Sequence, residues 1–419
     1  MTVELISVGT ELLLGNIVNT NANYLSQKCA ELGYSLYYQI AVGDNEGRLS
    51  EVLQKAISRS DIVILTGGLG PTQDDMTKEA VAKVFGKELV MDENSRERID
   101  SYFKFRYKGK DAAQVITNNN WKQALKIDGC IVLDNDNGTA PGYIVEEGEK
   151  AVILLPGPPS EMKPMFETHI YPYLQKKQNK IFLSSMVKIC GIGESKAETD
   201  IIDLIEGQTN PTIAPYAKNG EVHFRVTAAA DNEEEAGKLI DPVVAELNQR
   251  FGDNIYTTQE SETLEAVVVK LLKQNNLTVA TAESCTGGLL TGRLVNVPGV
   301  SGILNEGFIT YSNEAKMKYL GVKEDTLKEH GAVSEETAAE MVRGAARTSG
   351  ASAALAITGI AGPEGGTPEK PVGLVYIACL VNNNVTVKEY RLKGNREKIR
   401  ELSVIYALDL LRRSIIHRK

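Results

Sequence analysis

Two glycine-rich turns, each entered from an apolar run and each opening into a helical pattern, limit what this chain can fold into. The first is Thr66-Gly67-Gly68-Leu69-Gly70-Pro71-Thr72-Gln73-Asp74-Asp75, and the second is Ala282-Glu283-Ser284-Cys285-Thr286-Gly287-Gly288. A strand, a glycine turn and a helix in that order belong to a mostly parallel α/β sheet, whose ligands sit outside the carboxyl ends of the strands. More than two hundred residues separate the turns. That is too far for one βαβ unit, so two α/β domains with two separate chemical sites are expected. A chain of 419 residues also exceeds what one hydrophobic core usually serves.

The rhythm of the chain divides it into three segments. Residues 1–169 alternate strands (Val3–Val8, Leu36–Val42, Asp61–Thr66) with helical runs (Ala22–Leu32, Leu49–Ser58, Lys78–Phe85), which predicts a sheet covered on both faces. Residues 170–257 read as a small β-α-β-β-α scaffold without a catalytic cluster, and the polar stretch Tyr256–Glu262 reads as a linker. Residues 258–419 restart the α/β pattern, with strands over Leu277–Ala282, Ile303–Tyr311, Ala353–Thr358 and Leu374–Leu380. Helices are predicted over Thr263–Lys273, Leu289–Val295, Ser334–Ser349 and Arg396–Arg412.

Charge and cysteine usage exclude several classes. The formal net charge is −9 and the basic residues are scattered, which disfavours a general nucleic-acid binder. Five widely spaced cysteines without a Cys-x-x-Cys pair fit a reducing compartment rather than a zinc ribbon or disulfide scaffold. The first residues read as a strand without a basic n-region, and no apolar run approaches the ~20 residues needed to span a bilayer. A cytoplasmic protein with no membrane or nucleic-acid partner is expected.

At the first turn, Gly67, Gly68 and Gly70 let backbone N–H groups approach a phosphate, although the pattern is neither a P-loop nor a dinucleotide fingerprint. Asp74 and Asp75 either cap the next helix or serve a metal. Glu11 after the first strand, the loop from Gly138 to Gly142, and Leu155-Pro156-Gly157-Pro158-Pro159 supply further loops of the same character. Their combination favours an anionic ligand with a divalent cation that bridges phosphate oxygens. At the second turn, Ser284 stands beside the N–H groups of Thr286, Gly287 and Gly288, as an acyl-transfer nucleophile beside an oxyanion site would. The plain alternative is a phosphate-binding turn in which Ser284 and Thr286 act as helix caps. None of the four histidines sits in a glycine-rich loop, so a desolvated lysine, Lys316 in Tyr311-Ser312-Asn313-Glu314-Ala315-Lys316, is the candidate base.

These motifs carry a resemblance. Ser7-Val8-Gly9-Thr10-Glu11-Leu12-Leu13-Leu14-Gly15, the Thr66–Asp75 run with its following threonine, and Leu155–Pro159 resemble the N-terminal domain of the CinA family, itself similar to molybdopterin-binding domains. The second set resembles the CinA C-terminal, nicotinamide mononucleotide deamidase domain over nearly all of residues 263–419. It comprises Ala282–Gly288, Tyr311-Ser312-Asn313-x-x-Lys316, Gly331-Ala332-Val333-Ser334, and the run from Thr358 through Gly359 and Gly362 to Gly373. The resemblance implies a three-layer α/β molybdopterin-binding-like domain, a small α+β linker domain and a C-terminal α/β amidohydrolase domain.

The implied activities are hydrolysis of ADP-ribose to AMP and ribose 5-phosphate, and of nicotinamide mononucleotide to nicotinic acid mononucleotide and ammonia. A divalent metal (Co, Mg or Mn) with potassium is implied at the N-terminal site, with Glu11, Asp74 and Asp75 as ligands. The glycines Gly67, Gly68, Gly70, Gly138 and Gly157, with Thr72, would bind substrate there. No cofactor is implied at the C-terminal site. Ser284 would be the nucleophile, Lys316 its base and Tyr311 an assistant. Thr358 and the Gly359–Gly362 loop would shape the pocket, and Arg396 would hold the phosphate. Ser301, in Pro298-Gly299-Val300-Ser301 where many relatives have two serines, is a rival nucleophile or a substrate ligand, and Cys285 is a second rival nucleophile. The partners implied are small nucleotides and a second copy of the chain in a homodimer. The competing class is a protein with one active site, or a competence-linked interaction protein with a molybdopterin-like ligand site. An acidic chain without a basic stripe counts against direct DNA contact.

Overall fold

The computed structural model describes residues 1–106, 117–178 and 180–417. The chain divides into two compact units, one of Met1–Leu183 with Ala229–Ala236, the other of Ser184–Ala228 with Gly237–Lys419.

The first unit is built on a six-stranded sheet. In chain order its strands are β1 (Thr2–Val8), β2 (Ser35–Val42), β3 (Ile62–Thr66), β6 (Ile131–Leu133), β7 (Gly142–Glu147) and β8 (Lys150–Leu155). A separate antiparallel pair is formed by β4 (Leu89–Met91) and β5 (Leu125–Ile127). The large sheet runs β2-β1-β3-β8-β7-β6, with the first four strands parallel and the last two antiparallel. Alternation along β1 sends Val3 and Leu5 into one core, against helix Thr20–Glu31 and the segment from Met162 to Leu174. Ile6 and Val8 enter the other core, against helices Glu46–Arg59 and Thr77–Phe85. The acid inside β1, Glu4, is fully buried, and Arg59 Nε and Nη2 donate to it at 3.0 and 2.6 Å. A buried carboxylate is tolerable in a strand only with such a partner.

In the middle of the chain, β9 (Ile181–Cys190), β10 (Thr212–Lys218), β11 (Glu221–Ala230) and β12 (Ile255–Thr257) form a sheet of order β10-β11-β9-β12. The stretch expected to be a linker therefore begins as a strand. Tyr256 is buried with its hydroxyl on Glu221, Thr257 donates to Glu262 at 2.6 Å, and Lys188 Nζ holds the carbonyls of Glu260 and Glu262. Tyr256 and Thr257 thus serve the fold, while Thr258 to Ser261 face solvent as a linker would.

The C-terminal sheet contains β13 (Val279–Glu283), β14 (Leu304–Ile309), β15 (Ala353–Gly359), β16 (Leu374–Val381) and β17 (Asn384–Arg391), in the order β14-β13-β15-β16-β17. The first three are parallel, and β16 and β17 run antiparallel. One face packs helices Leu264–Gln274, Leu289–Val295 and Arg396–Ile416, and the other packs helix Glu335–Ser349. The last helix also ties the middle sheet into the second unit. Arg412, 2% exposed and paired with Asp409, donates to the carbonyls of Asp253 and Ile255. Among the described residues, no helix is long and apolar enough to cross a membrane.

Candidate active sites

In the first unit, the loops that follow β1, β2, β3 and β8 meet at the carboxyl edge of the sheet around a cavity of about 610 Å3. Gly67 is fixed there by sterics. Its φ is +99°, and a Cβ would come 2.2 Å from the carbonyl oxygen of Val8. Thr77 clamps the turn, donating its hydroxyl to Gly67 O at 2.8 Å and its N–H to Gly68 O at 3.1 Å.

Gly67, Gly68, Gly70, Gly157, Glu11, Asp74 and Asp75 all line the cavity. Thr72 serves the loop instead, donating its N–H and hydroxyl to Asp75. Gly138 backs onto Glu161, and its neighbour Thr139 reaches the wall. Neither aspartate caps the next helix, because the residue before Thr77 is Met76 and makes no side-chain cap.

The expected Glu11–Asp74–Asp75 metal triad is not assembled: among the described residues, no three acids, histidines or cysteines cluster as a metal site. Asp75 is turned back onto Thr72 and Gly70, Glu11 lies over Gly9, and Asp74 is exposed, its carboxyl held below the usual range chiefly by Thr72. The walls still offer hard oxygen donors, with Asp44 and Glu161 joining the three expected acids. That set fits a Mg2+-like ion, which takes one or two carboxylates and completes its shell with water and ligand phosphates rather than a protein cage. Sequence reasoning missed Asn21, Asp44, Gln123 and Glu161. Burial raises the Glu161 carboxyl above its ordinary range.

In the second unit, the residues after β13, β14 and β15 meet at the carboxyl edge of the C-terminal sheet. Ser284 follows β13, anchored by its N–H to Ile357 O at 3.0 Å, and is 9% exposed. Lys316, in helix Asn313–Leu320, is 1% exposed. Its Nζ lies 3.1 Å from Ser284 Oγ, 2.9 Å from Thr310 O and 3.2 Å from Tyr311 O. Burial holds this ammonium below the ordinary lysine range, a pull that Cys285 and Glu314 only partly oppose. In its neutral form, two N–H bonds satisfy the carbonyls and the lone pair faces the serine. Tyr311 thus contributes its carbonyl to Lys316. Its phenol is 61% exposed and accepts from Arg396 Nη2 at 3.2 Å, so it does not join the Ser284–Lys316 pair.

The residue that most changes the reading is Glu283. Fully buried, it accepts from the N–H groups of Gly288, Leu290 and Thr291 at 3.0, 3.0 and 2.8 Å, and from the Thr291 hydroxyl at 2.6 Å. The helix N-terminus that a phosphate would need is filled by the chain's own carboxylate. The same contacts correct the expected oxyanion donors. Gly288 N–H goes to Glu283, and Gly287 N–H goes to Ser284 O at 3.1 Å. No carbonyl or side-chain oxygen among the described residues accepts from the N–H groups of Cys285 or Thr286.

The rivals fare differently. Burial pushes the Cys285 thiol up to about 11, so little thiolate exists at neutral pH. Ser301 is separated from Ser284 by the length of the sheet. It precedes the start of β14, which pairs in parallel with the start of β13, whereas Ser284 follows the end of β13. Thr358 spends its hydroxyl on Ala332 O at 2.7 Å, and Gly359 permits close passage of β16, since a Cβ would lie 2.8 Å from Leu374 O. Arg396 donates to Gly362 O at 2.7 Å and keeps N–H groups for a ligand. One turn further along the same helix face, Arg400 donates to the carbonyls of Cys285 and Thr286, a contact the sequence did not reveal.

Comparison with known proteins accounts for nearly the whole chain. Residues 4–176 match a probable molybdopterin binding domain, residues 184–257 a damage-inducible protein CinA KH domain, and residues 261–415 the CinA C-terminal domain. A putative competence-damage inducible protein from Clostridium beijerinckii is 54% identical over 99% of this chain and 100% of its own length. A CinA-like protein from Kosmotoga olearia is 54% identical over 99% of each. Among solved structures, the competence/damage inducible protein CihA from Agrobacterium tumefaciens is 46% identical, covering 35% of this chain and 91% of that one, with a TM-score of 0.35.

Proposed function

The chain belongs to the CinA family, and on that premise we propose that its C-terminal site is a serine–lysine amidase acting on nicotinamide mononucleotide. The observation that carries this reading is the buried Lys316 Nζ at 3.1 Å from Ser284 Oγ, with two backbone carbonyls fixing its remaining direction. Neutral Lys316 takes the hydroxyl proton as Ser284 Oγ bonds to the amide carbon. The negative charge on the former carbonyl oxygen is received by backbone N–H groups of the turn. Lys316 returns the proton to the amide nitrogen, the C–N bond breaks and ammonia leaves. Water then adds to the ester under the same base, releasing the carboxylate and restoring Ser284. Arg396, at the mouth of the last helix, fits the role of phosphate holder.

The N-terminal cavity is read as the site of ADP-ribose hydrolysis to AMP and ribose 5-phosphate. The glycine turn at Gly67–Gly70 would cradle phosphate, and one or two of the wall carboxylates of Glu11, Asp44, Asp74, Asp75 and Glu161 would hold a divalent cation. Such an ion, when bound, neutralises phosphate charge and lowers the pKa of water. The protein's own part is to orient the pyrophosphate against the turn at Gly68, whose N–H can be approached without a Cβ in the way, while Gly67 N–H is held by Leu155 O at 3.0 Å and fixes the turn to the sheet. Ammonia and AMP release, measured in parallel on the whole chain with and without chelator, tests both readings. Chelator-resistant ammonia release with chelator-sensitive AMP release is expected. Failure of either product to form removes the corresponding assignment.

A further inference from the structure

We infer that Arg400 is a positioning residue that aims the backbone N–H groups of Cys285 and Thr286 at the oxyanion. The inference rests on reading Ser284 as the nucleophile, and it names the oxyanion site which the observed geometry moves away from Gly287 and Gly288. Arg400 approaches the turn with the side edge of its guanidinium. Nε donates to Cys285 O at 3.1 Å, and Nη2 donates to Thr286 O at 2.7 Å. The preceding carbonyl, Ser284 O, is held by Gly287 N–H at 3.1 Å. Three successive carbonyls therefore have fixed partners.

In a trans peptide the N–H points opposite to the C=O of the same unit. Holding Ser284 O fixes the direction of Cys285 N–H, and holding Cys285 O fixes that of Thr286 N–H. These are the two donors of the turn without an oxygen acceptor among the described residues, since Gly287 and Gly288 are already engaged. Consecutive peptide N–H groups turned the same way form an anion-binding concavity. Beside a serine, the first of them belongs to the residue after the nucleophile, the usual position of an oxyanion donor.

Glu283 secures the helix side of the turn and Arg400 the carbonyl side, so the peptides between them cannot rotate to follow a flattened substrate. Lysine cannot reproduce this grip, because an ammonium is a point donor without the planar fork that spans two carbonyls. Thr286 O would then keep only the 3.3 Å bond from Leu289 N–H, while the charge is kept.

The test uses the full chain with Arg400→Lys and Arg400→Ala, and two readouts. One is the rate at which a fluorophosphonate ester labels Ser284, read by intact mass. In that reaction Oγ bonds to phosphorus, fluoride leaves, and the hydroxyl proton passes to Lys316. The other is kcat and KM for ammonia release from nicotinamide mononucleotide. Loss of aligned oxyanion donors is expected to lower both labelling rate and kcat about 10- to 100-fold. KM should change less than about 3-fold, and added guanidinium should restore part of the loss in Arg400→Ala. A purely structural staple would instead lower the melting temperature with labelling and kcat within about 2-fold of the parent, which overturns the inference. Parent protein that labels at Ser284 in an Arg400-dependent way but releases no ammonia upholds the inference and sinks the substrate reading. Parent protein that does not label at Ser284 overturns both.

Discussion

Replacing Glu283 by glutamine tests how the serine turn is held. The carboxylate splits its load evenly, with Oε2 on the N–H groups of Gly288 and Leu290 and Oε1 on the N–H and hydroxyl of Thr291. Glutamine keeps one acceptor oxygen and turns the other into an NH2 group facing donors. If the NH2 replaces Oε2, two N–H groups lose their acceptor. If it replaces Oε1, the Thr291 hydroxyl can rotate to accept, but Thr291 N–H is left facing a donor. Hydrogen bonds to a charged group contribute about 1.5–3 kcal/mol each, so the cheaper orientation, which loses one, costs about 1.5–3 kcal/mol. For a unit of this size that corresponds to a drop of at least about 3 °C in its melting temperature. The assay is thermal unfolding by circular dichroism, beside the fluorescence of the single tryptophan, Trp121, which lies in the first unit. The circular-dichroism transition that Trp121 does not follow should move. A loss below about 1 kcal/mol would refute the reasoning, because it would mean the helix N-terminus is satisfied without this carboxylate.

Other outcomes follow from the same geometry. Lys316→Arg and Lys316→Met should each lower ammonia release by at least about 100-fold with fold intact, since neither side chain can take the serine proton near neutrality; steady-state kinetics with circular dichroism checks this. Because burial lowers the Lys316 pKa and the neutral form is the base, kcat/KM should rise with pH through a limb centred below the ordinary lysine value of about 10.4. A pH–rate profile in which this limb is absent or lies at that value counts against the assignment. Cys285→Ala should keep ammonia release within about 3-fold, and iodoacetamide at pH 7 should leave the parent active, as a thiol at about 11 is almost entirely protonated. Gly67→Ala places a Cβ 2.2 Å from Val8 O at a φ of +99°. It should abolish calorimetric binding of ADP-ribose while ammonia release persists.

The parallel core was legible because periodicity and turn chemistry agreed: β1, β2, β3, β13 and β15 are apolar runs that end in glycine or polar turns. Among the antiparallel additions to these two sheets, β16 was legible over Leu374–Leu380, whereas β6, β7 and β17 were not. In β17 the burial pattern alternates between exposed and half-buried positions, as expected of an edge strand, so no continuous apolar run announces it. A local signal was present in Asn382-Asn383, both at positive φ, the combination a two-residue hairpin turn requires. At the candidate sites, the strand-to-helix turns named Ser284 and Gly67 directly. Lys316 came from motif context, because nothing in a lysine's sequence neighbours tells whether it is 1% exposed. Glu283 and Arg400 stayed hidden for opposite reasons. The first reads as the polar end of a strand and serves residues up to eight places along the chain. The second contacts residues more than a hundred positions away, which only tertiary packing specifies. Ser301 shows the converse error, since residues in one motif set can lie at opposite edges of a parallel sheet.

The most direct measurement is ammonia release from nicotinamide mononucleotide by the parent chain and by Ser284→Ala, with ADP-ribose turnover followed in the same preparations. The account predicts that the parent produces ammonia and nicotinic acid mononucleotide in equal amounts. Ser284→Ala should lose at least about 1,000-fold of that activity and hydrolyse ADP-ribose at the parent rate. A Ser284→Ala protein that releases ammonia as fast as the parent would contradict the account at its centre.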